Sequence, residues 1–187
     1  ALPIMELYGR AIAENNQLRQ ACVKYHGFRP YFWVIPSQEA EEASQQLQQV
    51  KAENPELKVT GTEVHTKSYF GKEVKAVKVI VNIPAAVPQL REKAKAFGTV
   101  LEADIPFARR FLIDKRLMPV ALYKTEVTPL TAAAAAEEER KSKVPTYNTQ
   151  MLSHVSEDMH EPRILAIDIE THNPLGKTML PEEHPII

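Results

Sequence analysis

The sequence predicts an α+β fold, a ferredoxin-like βαββαβ core preceded by a β-hairpin, and three observations carry that prediction. Four short strand-like segments lie between residues 28 and 105. Two segments with apolar residues at helical spacing separate them in the order strand, helix, strand, strand, helix, strand. Upstream, the polar Glu14-Asn15-Asn16 divides two further stretches, 4–10 and 18–25, that read as the arms of a hairpin.

In the second arm Ala21, Val23 and Tyr25 share a face while Arg19 and Lys24 alternate outward. Residues 28–35, FRPYFWVI, are short and aromatic and read as a strand, with Pro30 marking an edge or bulge. Ser37 is placed to cap a helix running through Val50, with Ala40, Ala43, Leu47 and Val50 as its apolar stripe. Asn54-Pro55 breaks the chain, and residues 58–70 and 73–83 follow as strands joined at Gly71. In the second of these Val77, Val79, Val81 and Ile83 alternate with polar positions. Pro84 opens a helix with the stripe Val87, Leu90, Ala94 and Phe97, and Gly98 ends it. A last strand, 100–105, leads into a helix over 107–115. Residues 123–162 are predominantly polar. Ala132 to Ala136 followed by Glu137, Glu138, Glu139, Arg140 and Lys141 has strong helix propensity, but the segment lacks a large apolar face and reads as a linker or surface insert, partly disordered.

The chain has 187 residues, enough for one domain and part of a second, and 44% of them are hydrophobic, an ordinary share for a packed core. A net charge of −1 gives no global attraction to nucleic acid, so any such contact must be local. The single cysteine, Cys22, excludes an internal disulfide and suits a reducing, cytoplasmic setting. No apolar run approaches membrane-spanning length, so no membrane partner is expected. The apolar character of Leu2-Pro3-Ile4-Met5 and of Pro185-Ile186-Ile187 suggests a piece of a longer protein.

Several constellations carry possible chemistry. Asp168 and Glu170 lie two apart in the strand-like ILAIDIET (164–171) and so share a face. Paired hard oxygen ligands suit Mg²⁺ or Mn²⁺ in phosphodiester cleavage, although alternating charge is also what the solvent face of any half-buried strand shows. Two ligands are too few for a two-metal site, and Glu182 and Glu183, in a proline-bracketed loop, are poor additions. Arg109, Arg110, Lys115 and Arg116 form the densest basic cluster, interleaved with Phe107, Phe111 and Leu112. That pattern describes a helix packed by its aromatic side with a solvated basic side, or one that contacts phosphate. Phe28, Tyr31, Phe32 and Trp33 raise base stacking, but the strand at 73–83 has no aromatic partner and core packing is the simpler role. His154, Asp158 and His160 match no zinc spacing. With 6 glycines and no glycine-lysine loop, phosphate cradling by backbone is unsupported.

Three blocks in one order give a more specific signal: Phe28-Arg29-Pro30-Tyr31; then DIPFARR at 104–110 with LIDK at 112–115; then Asp168-Ile169-Glu170-Thr171. Together they resemble the archaeal-type family B DNA polymerases. The resemblance implies a template-sensing N-terminal domain at 1–122, the insert at 123–162, and the first strand of a ribonuclease-H-like 3′–5′ exonuclease domain at 163–187. It implies a pocket that captures uracil in single-stranded template DNA, lined by Pro30, Tyr31, Pro84, Val87, Ile105, Pro106 and Phe107. Arg91 and Arg110 would brace its walls or hold the flanking phosphates. A tight apolar slot would reject thymine by its methyl group, while backbone groups near Tyr31 and Ile105 pair with the flipped base. Core packing is an equally direct role for Val87. Asp168 and Glu170 match the first of three exonuclease motifs and would hold Mg²⁺ in the parent enzyme, with Mn²⁺ as an alternative and no metal expected on this piece alone. A family strand bearing a pocket tyrosine would precede Ala1. Implied partners are template DNA, the remainder of a polymerase chain and, through it, a sliding clamp. The parent would polymerise and proofread; this chain alone would do neither. A non-catalytic nucleic-acid-binding module of the same fold, and the small subunit of a split polymerase, are the alternatives.

Overall fold

The computed structural model describes residues 2–12, 17–142 and 144–156. Strands β1 (Met5–Ile12) and β2 (Leu18–Tyr25) pair antiparallel, with Met5 opposite Tyr25 and Ile12 opposite Leu18. Then come β3 (Tyr31–Pro36), α1 (Ala40–Gln48), β4 (Val59–Tyr69), β5 (Lys72–Val81), α2 (Val87–Ala94), β6 (Gly98–Leu101) and α3 (Phe107–Asp114). Single 3₁₀ turns, Pro84–Ala86 and Lys95–Phe97, flank α2.

Strands β3 to β6 form one antiparallel sheet in the order β4-β5-β3-β6. Its register sets Phe32 against Val79 and Val34 against Val77, so these side chains share a face. On that face they pack with Val81, Leu47 of α1 and Leu90 of α2 in one buried core. Burying each of these side chains stabilises the fold by roughly 1.5–3 kcal/mol. The alternate residues Tyr31, Trp33 and Lys78 take the other face, where Lys67 Nζ lies 4.4 Å from the Trp33 ring centroid and Lys78 Nζ 4.6 Å from that of Tyr31. Of the four aromatics considered for stacking, Phe32 is in the core, Trp33 is buried under Lys67, and Phe28 packs on Phe107 and Phe111.

Two boundaries differ from the sequence expectation. Helix α1 begins at Ala40 with Glu39 at its N-cap position and no side-chain cap. Ser37 lies too far upstream to cap it; its N–H and its hydroxyl both donate to the Phe97 carbonyl, at 3.0 and 3.3 Å, tying the end of β3 to the end of α2. The strand expected over 100–105 stops at Leu101, because Glu102 adopts a left-handed conformation (φ +58°) that turns the chain off the sheet.

In the segment expected to be a linker, the described residues form β7 (Leu122–Lys124), β8 (Thr128–Pro129), α4 (Ala132–Ser142), β9 (Thr146–Thr149) and β10 (Ser153–Ser156). Strand β9 pairs parallel with β2 and antiparallel with β8, which gives the sheet order β1-β2-β9-β8; β7 and β10 pair with each other. Lys24 Nζ reaches Glu138 of α4 at 2.6 Å and Glu6 of β1 at 3.3 Å. Thr149, buried, donates to the Glu126 carbonyl at 2.8 Å and accepts from the Met151 N–H at 3.2 Å, so its hydroxyl is satisfied. The turn at 14–16, Asp158, His160 and the whole of 163–187, with Asp168, Glu170, Glu182 and Glu183, lie outside the described residues. Among the described residues no helix is long and apolar enough to cross a membrane.

Candidate functional site

Where β6 ends, the chain peels away from β3 and opens a cavity of about 410 Å³. Its walls come from three places. Pro30 and Tyr31 enter from the start of β3, Pro84, Val87, Pro88 and Arg91 from the turn into α2, and the run from Glu102 to Phe107, with Arg110, from the loop into α3. All nine residues assigned to the pocket by resemblance lie in this lining. Pro88, Glu102, Ala103 and Asp104 also line it and were not assigned. Four of the lining residues are prolines, whose fixed φ gives a wall with little conformational freedom to lose on binding. Val87 serves twice, since it also packs against the hydrophobic core.

Backbone polarity is available at Tyr31. The Val81 N–H donates to the Pro30 carbonyl at 2.9 Å. Antiparallel strands turn successive residues' backbone groups to opposite sides, so those of Tyr31 point away from β5 and toward the β6 side, beyond the end of that strand.

Arg110 is almost wholly buried, with 6% of its side chain exposed. Its Nη1 donates to the Glu102 carboxylate and, at 3.4 Å, to the Tyr31 hydroxyl; its Nη2 donates to the Glu102 backbone carbonyl at 2.8 Å. The guanidinium carbon stands 4.6 Å from the Tyr31 ring centroid. Burial acts to lower the Arg110 pKa, but the hydrogen bond to Glu102 and the charges around it raise it overall, and the side chain is a fixed cation. Tyr31 in turn donates to Asp114 Oδ2 at 2.7 Å. Its pKa is pushed up to about 12, first by burial and then by that hydrogen bond. The other basic residues behave differently. Arg91 pairs across the helix surface with Glu92 at 3.4 Å, and 38% of its side chain is exposed. Arg109 and Arg116 are exposed, and Lys115 Nζ lies 5.2 Å from the Tyr25 ring centroid.

The cavity thus carries two arginines against Glu102 and Asp104, with Arg110 already neutralised. Apolar walls, near-neutral charge and this volume suit a small, flat, uncharged group better than an anion. Sequence reasoning missed Glu102 because it lies in the loop after β6 while its partner Arg110 is in α3, so no periodicity within one element relates them. The acidic residues inside the block EADIPF were the available signal. Among the described residues no group of three or more His, Cys, Asp or Glu is placed to hold a metal ion.

Comparison with known proteins gives consistent matches. The family described as "DNA polymerase family B, exonuclease domain" matches residues 98–187. "DNA polymerase 2" of Aeropyrum pernix is 32% identical over 99% of this chain and 23% of its own length. The "DNA polymerase" of Thermococcus kodakarensis is 29% identical over 88% of this chain and 9% of its own. Among solved structures, the family B DNA polymerase from the hyperthermophilic archaeon Pyrobaculum calidifontis superposes with a TM-score of 0.62 at 25% identity, covering 100% of this chain and 24% of that one. The chain therefore spans about a quarter or less of the length of these relatives.

Proposed function

From the premise that this chain belongs to the family B DNA polymerases, we propose that its first 122 residues are a template-sensing unit whose cavity takes a uracil flipped out of single-stranded DNA. The observation that carries this reading is the convergence of Pro30, Tyr31, Pro84, Val87, Arg91, Ile105, Pro106, Phe107 and Arg110, spread over eighty positions of sequence, on one cavity. Uracil is neutral, flat and apolar on its C5 edge, and its other edge needs a donor and an acceptor. Prolines and Val87 supply the apolar faces, and backbone groups at Tyr31 and Ile105 supply the polar edge. Thymine adds a methyl group where the walls are stiffest, so its rejection is steric. The strand order β4-β5-β3-β6, with α1 and α2 sharing one core, supports reading the scaffold as the ferredoxin-like βαββαβ sheet.

Residues 123–162, of which β8 and β9 pair into the N-terminal sheet, lead to an exonuclease domain that opens at 163–187. There Asp168 and Glu170 would be among the ligands of Mg²⁺, which would supply polarisation of the scissile phosphate and activation of water. The longer protein copies template DNA and proofreads 3′ ends; its partners are DNA, the rest of its own chain and a sliding clamp. The test is fluorescence anisotropy of the chain with two single strands that differ only in one uracil or thymine. Tighter binding of the uracil strand by about tenfold or more is expected, the range a snug pocket extracts from one methyl group. Equal binding of the two strands sinks the uracil reading.

A further inference from the structure

Building on the uracil-sensing reading, we propose that Glu102 commits Arg110 to a structural clamp. Arg110 is then the residue that positions the 102–106 wall and sets uracil against thymine, and it is not a phosphate ligand. Its three hydrogen bonds all stay within the protein, two of them to Glu102 alone, one to the carboxylate and one to the backbone carbonyl. A guanidinium that grips one residue at both side chain and main chain fixes the path of that residue's backbone. Glu102 needs such a grip, since φ of +58° is a conformation a glutamate rarely adopts unaided.

What the clamp holds is the recognition wall itself. The cavity lining runs without a break from Glu102 through Ala103, Asp104, Ile105 and Pro106 to Phe107. Tyr31 anchors the opposite wall to the same guanidinium and, through Asp114, to the end of α3. Both faces that contact the base are therefore referenced to one buried cation, and the gap between them is set by it. Phosphate contact would require Arg110, only 6% exposed, to abandon these partners and cross the cavity rim. Arg91 stands at that rim with 38% of its side chain exposed and an exposed pair to its helix neighbour Glu92 at 3.4 Å, and it is the better phosphate ligand.

The test compares Arg110→Lys, Arg110→Gln, Glu102→Gln and Arg91→Gln in the full 187-residue chain, by two readouts. One is hydrogen exchange of the 102–105 amides without DNA. The other is binding of the uracil and thymine strands across a salt series. Arg110→Lys keeps the charge but loses the fork, so it separates the two roles even if Arg110→Gln folds poorly. The expected result is faster exchange in the loop for Arg110→Lys and Glu102→Gln. Their uracil-to-thymine ratio should fall about tenfold, as for the loss of one charge-assisted hydrogen bond, with the salt slope unchanged. Arg91→Gln should instead lower the salt slope by about 0.7, the contribution of one phosphate on a single strand, with loop exchange unaltered. Native loop exchange and an unchanged ratio in Arg110→Lys, or a drop in salt slope for Arg110→Gln with its loop intact, would overturn the clamp. If the unmutated chain does not distinguish uracil from thymine while both clamp variants still loosen the loop, the clamp stands and the uracil reading falls.

Discussion

A methyl group added at Gly98 would lie 2.1 Å from the Ile35 carbonyl oxygen and 2.8 Å from Pro36 Cα. Both contacts are with backbone of the paired strand, which has no rotamer to yield, and the φ of +155° disfavours any side chain. Gly98→Ala is expected to cost on the order of 3 kcal/mol, read as a lower urea midpoint with the slope retained. Tyr31 sets a second residue-scale expectation. Its folded pKa of about 12 lies above the ordinary tyrosine value near 10. The neutral hydroxyl is the favoured form, so its stabilisation is complete below pH 10 and is lost as pH rises through 12. Tyr31→Phe is expected to be less stable at neutral pH by on the order of 1–2 kcal/mol, the size of the lost hydrogen bonds. The gap between the two proteins should narrow from pH 10 to 12 in chemical denaturation; a constant gap would mean that the hydroxyl is not held as described. Both residues show what sequence leaves dark. Gly98 was legible as a stop, but the approach of β3 that makes it indispensable is a tertiary fact.

Elements with a strong side-chain pattern were legible, and those built mainly from backbone bonds were not. The alternation of Val77, Val79 and Val81 announced β5, and the stripes of α1 and α2 marked the helices that cover it. The Phe107–Asp114 helix was legible too, and Phe111 packs while Arg109 is solvated as its pattern suggested, whereas Arg110, read with the solvated basic side, is buried. Strands β8 and β9 were not legible: two and four residues long, they join their sheet through the main chain and carry no alternation to read. The capping role expected of Ser37 failed because α1 begins only at Ala40, with Glu39 in the cap position, and the Ser37 hydroxyl and N–H instead donate to the Phe97 carbonyl of another element. Helix α3 also carries an expectation of its own. Phe111 is fully buried and meets the rings of Tyr25 at 5.0 Å and Phe28 at 5.1 Å, which ties the N-terminal hairpin to the cavity loop. Phe111→Ala is expected to cost about 3–5 kcal/mol in thermal or urea unfolding. A cost below ~1 kcal/mol would mean that the hairpin is not docked on α3.

At the scale of the whole chain, the pocket and the late segment answer to different physics. The cavity needs only residues 30–110, and two of the short sequence blocks, at 28–31 and 104–110, fall on its walls, while Pro84, Val87 and Arg91 lie between them. The N-terminal sheet needs both ends of the described chain, because β2 at 18–25 completes its pairing with β9 at 146–149. Cys22 records that closure. It is 1% exposed, its N–H donates to the Pro145 carbonyl at 2.9 Å, and burial pushes its thiol pKa up, which suppresses the reactive thiolate. If β9 seats on β2 in solution, a thiol reagent should modify Cys22 slowly in the intact chain. A chain ended at Lys124 should react faster by about tenfold or more, since its cysteine no longer waits for local opening. Lys24→Gln keeps every strand but removes the ion pairs that hold α4 and β1, and an intermediate acceleration is expected. Equal rates in all three proteins would mean that the sheet closes without its fourth-quarter strands, and that 123–156 is a tether after all. A graded series would instead make the segment a structural part of the unit that carries the cavity.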